Sequence, residues 1–395
     1  MMTIIKANVD PQIANSKGMA ARQRGDFQAA AIHFAAAAAA DPEASGLWRN
    51  LAHAHRELGN DEGERAALES ALNADRTDLA TWIRKAQLHE RLAEHADAIT
   101  AWGGVLQMSQ AIHPIADALA PLLAHARAYC SEQQANLNNR VDAALGDHIA
   151  KLNPNDRRRV KGFFDHAMAG RRIYQNECAG LYYPFLPADE FFEDHHFSWF
   201  SGLTASTPAI CKEFEALIAD PGDALRPYVR QDKGTPDNLW SPLDNNLDWG
   251  AIFLWEYGEA NKPILERCPQ TAAALARLPA AHIPSRAPSA FFSVLKPHTH
   301  IPPHTGVTNT RAIIHLPLII PDNCGFRVGG ETREWQVGIP LAFDDTIEHE
   351  AWNQSDEYRV VLIFDVWNPY LSEKEQEMIT HYFAILDQVG NSKTG

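Results

Sequence analysis

Histidines are concentrated in one stretch of the chain, and their types and spacing suit metal binding. Five of the 18 histidines fall between residues 298 and 349: His298, His300, His304, His315 and His349. His304 follows a Pro-Pro pair, and His349 opens an extended run after an acidic stretch. Two histidines far apart in sequence, each at the end of a predicted strand, suit a metal bound at the open end of a β-barrel. Imidazole binds iron, zinc, copper and nickel alike, so the metal stays open at this point. His298 and His300 are expected to be surface or supporting groups.

A single arginine, Arg359, interrupts an apolar strand-like run near the C-terminus. An arginine that points into a barrel needs an anion, and its planar guanidinium matches a carboxylate through two hydrogen bonds. A salt bridge to Asp344 or Asp345 is the competing interpretation. Arg311 and His315 likewise share one face of their predicted strand, because side chains alternate along a strand. A metal, an inward arginine and a hydrogen-bonding histidine together suit a small dicarboxylate.

The elements that must position these side chains are short strands. From about residue 288, strand-like runs alternate with turns, and Gly329-Gly330 marks a hairpin. Many short strands without intervening helices predict an antiparallel barrel or a double-sheet jelly roll. The predicted strands are 290–295, 311–320, 325–328, 333–337, 340–343, 349–352 and 358–367.

The N-terminal part has a different sequence pattern, in which certain residues recur every 34 positions. Gly25-Asp26, Gly59-Asn60 and Ala93-Glu94 share this spacing, and so do Trp48 and Trp82. The pattern resembles tetratricopeptide repeats and predicts three helix-turn-helix units at 11–44, 45–78 and 79–112. Such units stack into a curved array whose concave face often holds a peptide or protein. The competing interpretation is that the array only stabilises or dimerises its neighbour.

Length and charge limit the possible functions. The chain has 395 residues, which predicts two or three domains, and its net charge is −15. Binding to nucleic acid or to an anionic membrane surface requires clustered Lys and Arg, so neither partner is predicted. No run of 18 apolar residues and no leader pattern is present, and the five cysteines form no CxxC pair. We therefore predict free thiols and a cytoplasmic protein.

The C-terminal motifs resemble one known family. The motifs are HTHIPPHTGVTNTRAIIHLPL at 298–318, FRVGGETREW at 326–335, FDDTIEHEAWN at 343–353 and DVWNP at 365–369. Over about 185–372 the sequence resembles the aspartyl/asparaginyl β-hydroxylases. The resemblance implies an iron(II)- and 2-oxoglutarate-dependent oxygenase on a double-stranded β-helix, the jelly-roll fold. An N-terminal tetratricopeptide-type region also occurs in animal members of that family.

The sequence therefore predicts an α+β multidomain protein. We assign 11–112 to the tetratricopeptide-like repeats, 113–180 to a helical cap or linker, and 181–390 to the double-stranded β-helix domain.

The resemblance also implies roles for individual residues. It makes His304 and His349 the iron ligands. Gly306 stands where most 2-oxoglutarate oxygenases have a carboxylate ligand, and the resembled family is known for a two-histidine site. Arg359 and Ser293 match the positions that hold the distal carboxylate of 2-oxoglutarate.

Four further positions concern the cosubstrate and the substrate. His315 matches another cosubstrate contact, and Trp249 matches a tryptophan beside the pocket. Ile313 stands where animal members carry an arginine, which puts an anion contact there in doubt. Neighbouring Arg311 is the candidate to replace that contact with the substrate.

The implied reaction decarboxylates 2-oxoglutarate to succinate with O2 and hydroxylates an unactivated carbon. The family expectation is the β-carbon of an Asp or Asn residue in a peptide or protein, which the repeats help to present. Free amino acids and lipid acyl chains are other substrates within the broader group. Two alternatives are an inactive scaffold that binds a partner, and a cupin-type metalloenzyme that does not use 2-oxoglutarate.

Overall fold

Six antiparallel helices in three pairs follow the 34-residue period of the N-terminal sequence. The structure, a computed structural model, describes residues 9–168 and 170–391. It divides into two units, Met1–Leu152 and Asn153–Gly395. The helices of the first unit are α1 (Pro11–Gln23), α2 (Phe27–Ala40), α3 (Ser45–Glu57), α4 (Asp61–Ala74), α5 (Leu79–Arg91), α6 (His95–Ser109) and the longer α7 (Ala120–Ala150).

The repeated sequence positions explain where these helices begin and end. Gly25, Gly59 and Ala93 end the first helix of each pair with φ of 76°, 68° and 56°, a left-handed conformation that glycine adopts without strain. The next helix then starts at a polar cap, and Asp26 and Asn60 accept hydrogen bonds from backbone N–H groups of α2 and α4. The three predicted helix-turn-helix units are confirmed.

The predicted helical cap at 113–180 is only partly correct. Helix α7 belongs to the first unit, whereas α8 (Pro154–Ala167) belongs to the second. The prediction of helix up to residue 180 is wrong, because residues 170–180 are not helical. The N–H groups of Ala179 and Gly180 donate instead to the carbonyl oxygens of Gly306 and Val307, both at 2.9 Å. Hydrogen bonds to a distant loop thus replace those of a helix in this segment.

The second unit is rich in antiparallel strands. Its remaining helices are α9 (Phe200–Ala219), α10 (Lys262–Arg267), α11 (Pro269–Leu275) and α12 (Glu373–Asn391). Its strands are β1 (Arg226–Pro227), β2 (Trp249–Glu256), β3 (Glu259–Ala260), β4 (Ala290–Leu295), β5 (Thr299–His304), β6 (Arg311–Ile319), β7 (Cys324–Val328), β8 (Glu331–Arg333), β9 (Leu341–Phe343), β10 (His349–Asn353) and β11 (Arg359–Trp367).

These strands form two sheets. The larger sheet has the order β1-β2-β4-β11-β6-β9, with β3 added beside β2, and the smaller has the order β5-β10-β7-β8. Every pair of neighbouring strands is antiparallel. The prediction of a β domain built from short antiparallel strands is therefore confirmed.

Alternation along the strands divides the apolar residues into two buried clusters. Val360, Leu362 and Phe364 of β11 pack with helix α9 on one face of the larger sheet. Val361, on the other face, packs with Ile301 and Phe326 from the smaller sheet. Arg359 shares the parity of Val361, so the pleat directs it to the side where both sheets contribute side chains. Among the described helices, none has the length and apolar character needed to cross a bilayer.

Candidate functional site

Two histidines meet in the smaller sheet, where its edge strand β5 ends and β10 begins. His304 is the last residue of β5 and His349 is the first of β10, and the two are direct partners in the strand register. Their ring centroids lie 4.0 Å apart, at an angle of 53°. Both rings line one cavity of about 500 Å³. The antiparallel register thus brings together two side chains separated by 45 positions in the sequence.

Backbone carbonyls determine which nitrogen of each ring is free. Nδ1 of His304 donates to the carbonyl oxygen of Pro302 at 2.7 Å, and Nδ1 of His349 donates to that of Ile347 at 3.0 Å. Because a carbonyl only accepts, each Nδ1 carries the proton and each Nε2 keeps its lone pair. Burial lowers the pKa of the His304 ring. Burial lowers the pKa of His349 further, to well below its usual value, and the neighbouring His304 adds to that shift. Two neutral imidazoles with free Nε2 lone pairs fit a divalent metal.

A carboxylate lies beside this pair, at Asp345. A Cβ atom added to Gly306 would collide with the Asp345 carboxylate, and the Gly306 N–H donates to the Asp345 carbonyl oxygen at 2.6 Å. Burial raises the pKa of Asp345 to about 7, with Asp344 and Asp365 adding to the shift and Arg311 opposing it. From the sequence, Asp345 is predicted only as a possible salt-bridge partner of Arg359. Its position against Gly306 depends on the loop between β9 and β10.

Arg359 is a buried cation that faces the same cavity. Its side chain is 1% exposed, and Nη1 donates to Oγ of Ser293 at 3.3 Å. Its Nε has no hydrogen-bond partner, and burial lowers the pKa of the guanidinium to about 10. Across residues 9–168 and 170–391, no carboxylate pairs with it, so the competing salt bridge to Asp344 or Asp345 is not observed. A buried charge without a partner is costly, so this position favours an anion from outside the chain.

Ser293 and His315 complete the surroundings of Arg359. Oγ of Ser293 also accepts a hydrogen bond from Nε1 of Trp249 at 3.0 Å, so the serine joins β2, β4 and β11. His315 is buried, and its Nδ1 has no hydrogen-bond partner. Burial, followed by the charges of Arg359 and His349, lowers its pKa well below the usual value. All of these residues line the cavity, so the structure brings together the six residues predicted for metal and cosubstrate.

Arg311, the predicted substrate contact, also lines the cavity but is not a free cation. Its guanidinium forms an ion pair with Asp365, which is 3% exposed and also accepts from the backbone N–H of Ser289 at 3.0 Å. Ile313 lies on the same face of β6 and lines the cavity as well. The charge of Arg311 is therefore already compensated within the chain.

His298 and His300 lie outside the cavity, in agreement with the sequence analysis. Nε2 of His300 lies 2.8 Å from a carboxylate oxygen of Glu350, and Nε2 of His298 lies 3.1 Å from one of Asp356. Both side chains are exposed. They are surface groups rather than members of the histidine pair.

An aromatic wall extends from the histidine pair, and the sequence predicted only one of its members, Trp249. Its members are Trp240, Trp249, Tyr228, Phe253 and Phe291, all of which line the cavity. The Trp240 ring lies edge-on to His304 at 4.9 Å, and Tyr228 stacks on Trp249 at 3.9 Å. Tyr228 and Trp240 lie in irregular chain between α9 and β2. No periodic pattern there predicts which side chains are directed towards the cavity.

Comparisons with solved structures concern the helical unit. It is similar to the TPR2B domain of yeast Sti1, at 19% identity and a TM-score of 0.29, covering 31% of this chain and 97% of that chain. The TPR domain of Sgt2 from Aspergillus fumigatus matches at 21% identity and a TM-score of 0.28, covering 32% of this chain and 81% of that chain.

Comparisons with known sequences concern the second unit. The aspartyl/asparaginyl beta-hydroxylase of Homo sapiens is 36% identical over 168 residues, which are 41% of this chain and 21% of that protein. The ornithine lipid ester-linked acyl 2-hydroxylase of Rhizobium tropici is 32% identical over 199 residues, which are 50% of this chain and 66% of that protein. The match thus spans about a fifth of the human relative's length.

The family model for aspartyl/asparaginyl beta-hydroxylase matches residues 204–369. This range contains both cavity histidines, Ser293 and Arg359, together with β1 to β11. Residues 204–369, within the strand-rich second unit, therefore match the aspartyl/asparaginyl β-hydroxylase family.

Proposed function

We propose that this protein is an Fe(II)- and 2-oxoglutarate-dependent oxygenase that hydroxylates the β-carbon of an Asp or Asn residue in a peptide or protein. The observation that carries the proposal is one cavity lined both by a pair of neutral histidines and by a buried Arg359 that has no carboxylate partner among the described residues. The first feature suits a metal and the second suits the far carboxylate of a dicarboxylate. In this proposal the two sheets are the walls of a double-stranded β-helix.

His304 and His349 would hold the metal through Nε2. Their Nδ1–H groups are tied to backbone carbonyls, so the rings are oriented before a metal arrives. The carboxyl group of Asp345, whose pKa burial raises to about 7, lies against Gly306, and a bound divalent cation nearby would favour its ionised form. When bound, Fe(II) would supply the activation of O2 that couples decarboxylation of 2-oxoglutarate to hydroxylation of a carbon.

Arg359 and Ser293 would bind the distal carboxylate of 2-oxoglutarate. Oγ of Ser293 accepts from both Trp249 and Arg359, so its own O–H is left to donate to a ligand oxygen. The guanidinium lies over the ring of Trp335, with its carbon 4.9 Å from the ring centroid. An anion would enter a buried site whose donors are already in place, which makes a charge-assisted hydrogen bond strong. His315 would contribute a further polar contact to the cosubstrate.

For the helical unit we propose a role in binding the peptide or protein substrate. For the compartment we propose the cytoplasm, and the five cysteines support it because all are free thiols in the structure. Nucleic acid and membrane are not proposed as partners.

A second candidate is hydroxylation of a lipid acyl chain. The Rhizobium tropici relative carries the name of an acyl hydroxylase, and the match spans 66% of that protein's length. Three members of the aromatic wall, Tyr228, Phe253 and Phe291, contact one another and offer apolar surface in the cavity that holds the histidine pair. Both candidates share the metal and cosubstrate, so the substrate alone separates them.

The experiment measures succinate formed from 2-oxoglutarate by the purified full chain with Fe(II) and O2. Asp- or Asn-containing peptides and acyl lipids are supplied in separate reactions, with an anaerobic control, and products are searched for one added oxygen atom by mass spectrometry. Oxygenated peptide supports the first candidate, and oxygenated lipid supports the second. Absence of succinate under every condition, including reactions without substrate, contradicts both and favours the inactive scaffold. Metal-dependent conversion of a substrate that does not require 2-oxoglutarate favours a cupin-type metalloenzyme.

A further inference from the structure

Apolar side chains line the cavity of the histidine pair outside the residues proposed to bind the cosubstrate. Ile313 of β6 lies opposite Asp365 and Phe343 in the strand register, and its side chain lines the cavity. Phe253 and Phe291, which also line it, stack with their ring centroids 5.0 Å apart. A substrate group that enters this cavity exchanges water for these apolar walls. Burying a charge there is costly unless an opposite charge pairs with it.

Arg311 is a cation of this cavity, but its charge is compensated within the chain. Its Nη1 donates to one carboxylate oxygen of Asp365 and, at 3.4 Å, to the carbonyl oxygen of Arg286. The other oxygen of Asp365 accepts from the backbone N–H of Ser289 at 3.0 Å. The ion pair is therefore tied to the backbone on both sides. In the described part of the chain, Nε and Nη2 of Arg311 have no hydrogen-bond partner, so they remain available to an oxygen atom of a ligand.

A neutral oxygen atom suits these donors better than a charged one. A substrate carboxylate would approach Arg311 within the field of Asp365, which repels it, and would lose water against Ile313. An amide oxygen accepts the same hydrogen bond without that repulsion, and a neutral amide costs less to bury than a carboxylate. The ion pair and its apolar neighbour therefore favour an uncharged group.

The other charged groups of the lining do not offer a buried cation to a substrate carboxylate. Glu256 is paired with Arg226, and Asp345 adds a carboxyl group rather than a cation. Arg230 is exposed, so water and salt screen its charge. Among the described residues that line the cavity, Arg359 is the one buried cation without a carboxylate partner, and the proposed cosubstrate occupies it.

We propose that this cavity selects an uncharged side chain, so that the polypeptide substrate presents Asn rather than Asp to the histidine pair. Arg311 would donate to the amide oxygen, and Ile313 would disfavour a charged group at the same wall. Ile313 and the pair of Arg311 with Asp365 then determine the specificity of the site. The inference rests on the oxygenase function proposed above, and it names the substrate class of that same site.

The test compares two pools of capped nonapeptides, which have randomised flanks and either Asn or Asp fixed at the centre. Size-exclusion capture by the full chain with Mn(II) and 2-oxoglutarate, without O2 and at neutral pH where a free Asp is ionised, measures binding without turnover. Mass spectrometry then measures oxygenation of each pool with Fe(II) and O2. We expect capture and oxygenation of the Asn pool to exceed those of the Asp pool at least about tenfold. Equal use of both pools, preference for Asp, or use of neither pool while succinate forms overturns the inference.

Asp365→Asn tests the ion pair as the source of the preference. Loss of this carboxylate leaves Arg311 uncompensated, so the preference for Asn should shrink at least about tenfold, chiefly because the Asp pool binds better. Asp322→Asn is the matched control, since it makes the same change at an exposed carboxyl outside the cavity lining, and it should leave the preference unchanged. An equal change in both variants overturns the inference.

Thermal unfolding identifies a variant that fails to fold. If Asp365→Asn does not fold, Ile313→Arg decides, because it adds a cation to the same wall and should also shrink the preference. An unchanged preference in the variant that folds overturns the inference. Arg230→Gln examines the exposed cation, and weaker capture of the Asp pool by this variant would mean that Arg230 binds a substrate carboxylate, which also overturns it.

Succinate formation separates failure of this inference from failure of the proposed function. Succinate formed with an oxygenated Asp pool, or with acyl lipid as the sole oxygenated substrate, supports the oxygenase and overturns the preference for Asn. Absence of succinate under every condition overturns the oxygenase, and this inference with it.

Discussion

The carboxylate of Asp345 occupies the space into which any side chain at Gly306 would project. Gly306 belongs to the loop after β5, and Asp345 belongs to the loop before β10. The two loops are also joined by the hydrogen bond from the Gly306 N–H to the Asp345 carbonyl oxygen at 2.6 Å. Gly306 is therefore packed against a carboxylate that another strand connection contributes.

Introducing a carboxylate at Gly306 should damage this arrangement rather than complete it. Gly306→Asp would place a second carboxylate on top of the first, which combines steric overlap with like-charge repulsion. We expect a loss of about 1–3 kcal/mol in the free energy of unfolding, as for an overpacked core. Urea denaturation measures this loss. The double variant Gly306→Asp/Asp345→Gly should recover most of it, and equal instability of both variants would contradict the overlap as its cause.

Metal binding should depend on the histidine pair and not on histidines nearby in the sequence. His349→Ala removes one of two free Nε2 atoms, so we expect the affinity for Mn(II), used as a stable substitute for Fe(II), to fall by at least about tenfold. Isothermal titration calorimetry measures the affinity. His300→Ala is the matched control, because this exposed ring faces Glu350 outside the cavity. An equal loss in both variants would argue against the pair as the binding site.

Arg359 should be required for the dicarboxylate but not for stability. Replacing it by Met removes a buried cation that lacks a carboxylate partner in the described part of the chain. The melting temperature without ligand should therefore stay the same or rise. The 2-oxoglutarate concentration needed for half-maximal succinate formation should rise about tenfold or more, because a charge-assisted pair is lost. Arg277→Met, at an exposed arginine of the same unit, serves as the control. Unchanged dependence on 2-oxoglutarate in the Arg359 variant would favour a metalloenzyme that does not use it.

Stability in acid should depend on Glu331. Burial alone would raise the pKa of this carboxyl, but Arg333 and Arg158 outweigh it, so the net pKa lies below the usual value of 4.5. For a carboxyl with a lowered pKa, the stabilisation is present above the unfolded pKa and disappears as the pH falls through the folded one. Glu331→Gln should therefore lower stability at neutral pH and reduce the loss seen below pH 4.5.

Denaturant titrations of this variant and the natural chain at neutral and acidic pH measure the difference. The control is Glu259→Gln, which changes an exposed carboxyl of the same unit. If the stability difference between Glu331→Gln and the natural chain stayed constant as the pH fell, the ion pairs to Arg158 and Arg333 would not be its source.

Local patterns in the sequence were sufficient for several features. The 34-residue spacing of Gly25, Gly59 and Ala93 predicted the helix pairs, since helix ends depend on residues a few positions apart. Period-2 alternation predicted that Arg359 points to the opposite face from Val360, because side chains alternate along any strand. The His-rich stretch and the family motifs identified the metal and cosubstrate candidates among the residues that line the cavity.

Tertiary structure decided the features that depend on contacts between distant segments. The register of β5 against β10 makes neighbours of His304 and His349, and the loop before β10 brings Asp345 to Gly306. The ion pair between Arg311 and Asp365 joins two strands, and it turns an expected substrate contact into a compensated charge. The sequence alone determined which side chains have the chemistry and which face of a strand carries them. Strand order and register decided which of them meet, because long-range pairing reflects the packing of the whole unit rather than any local preference.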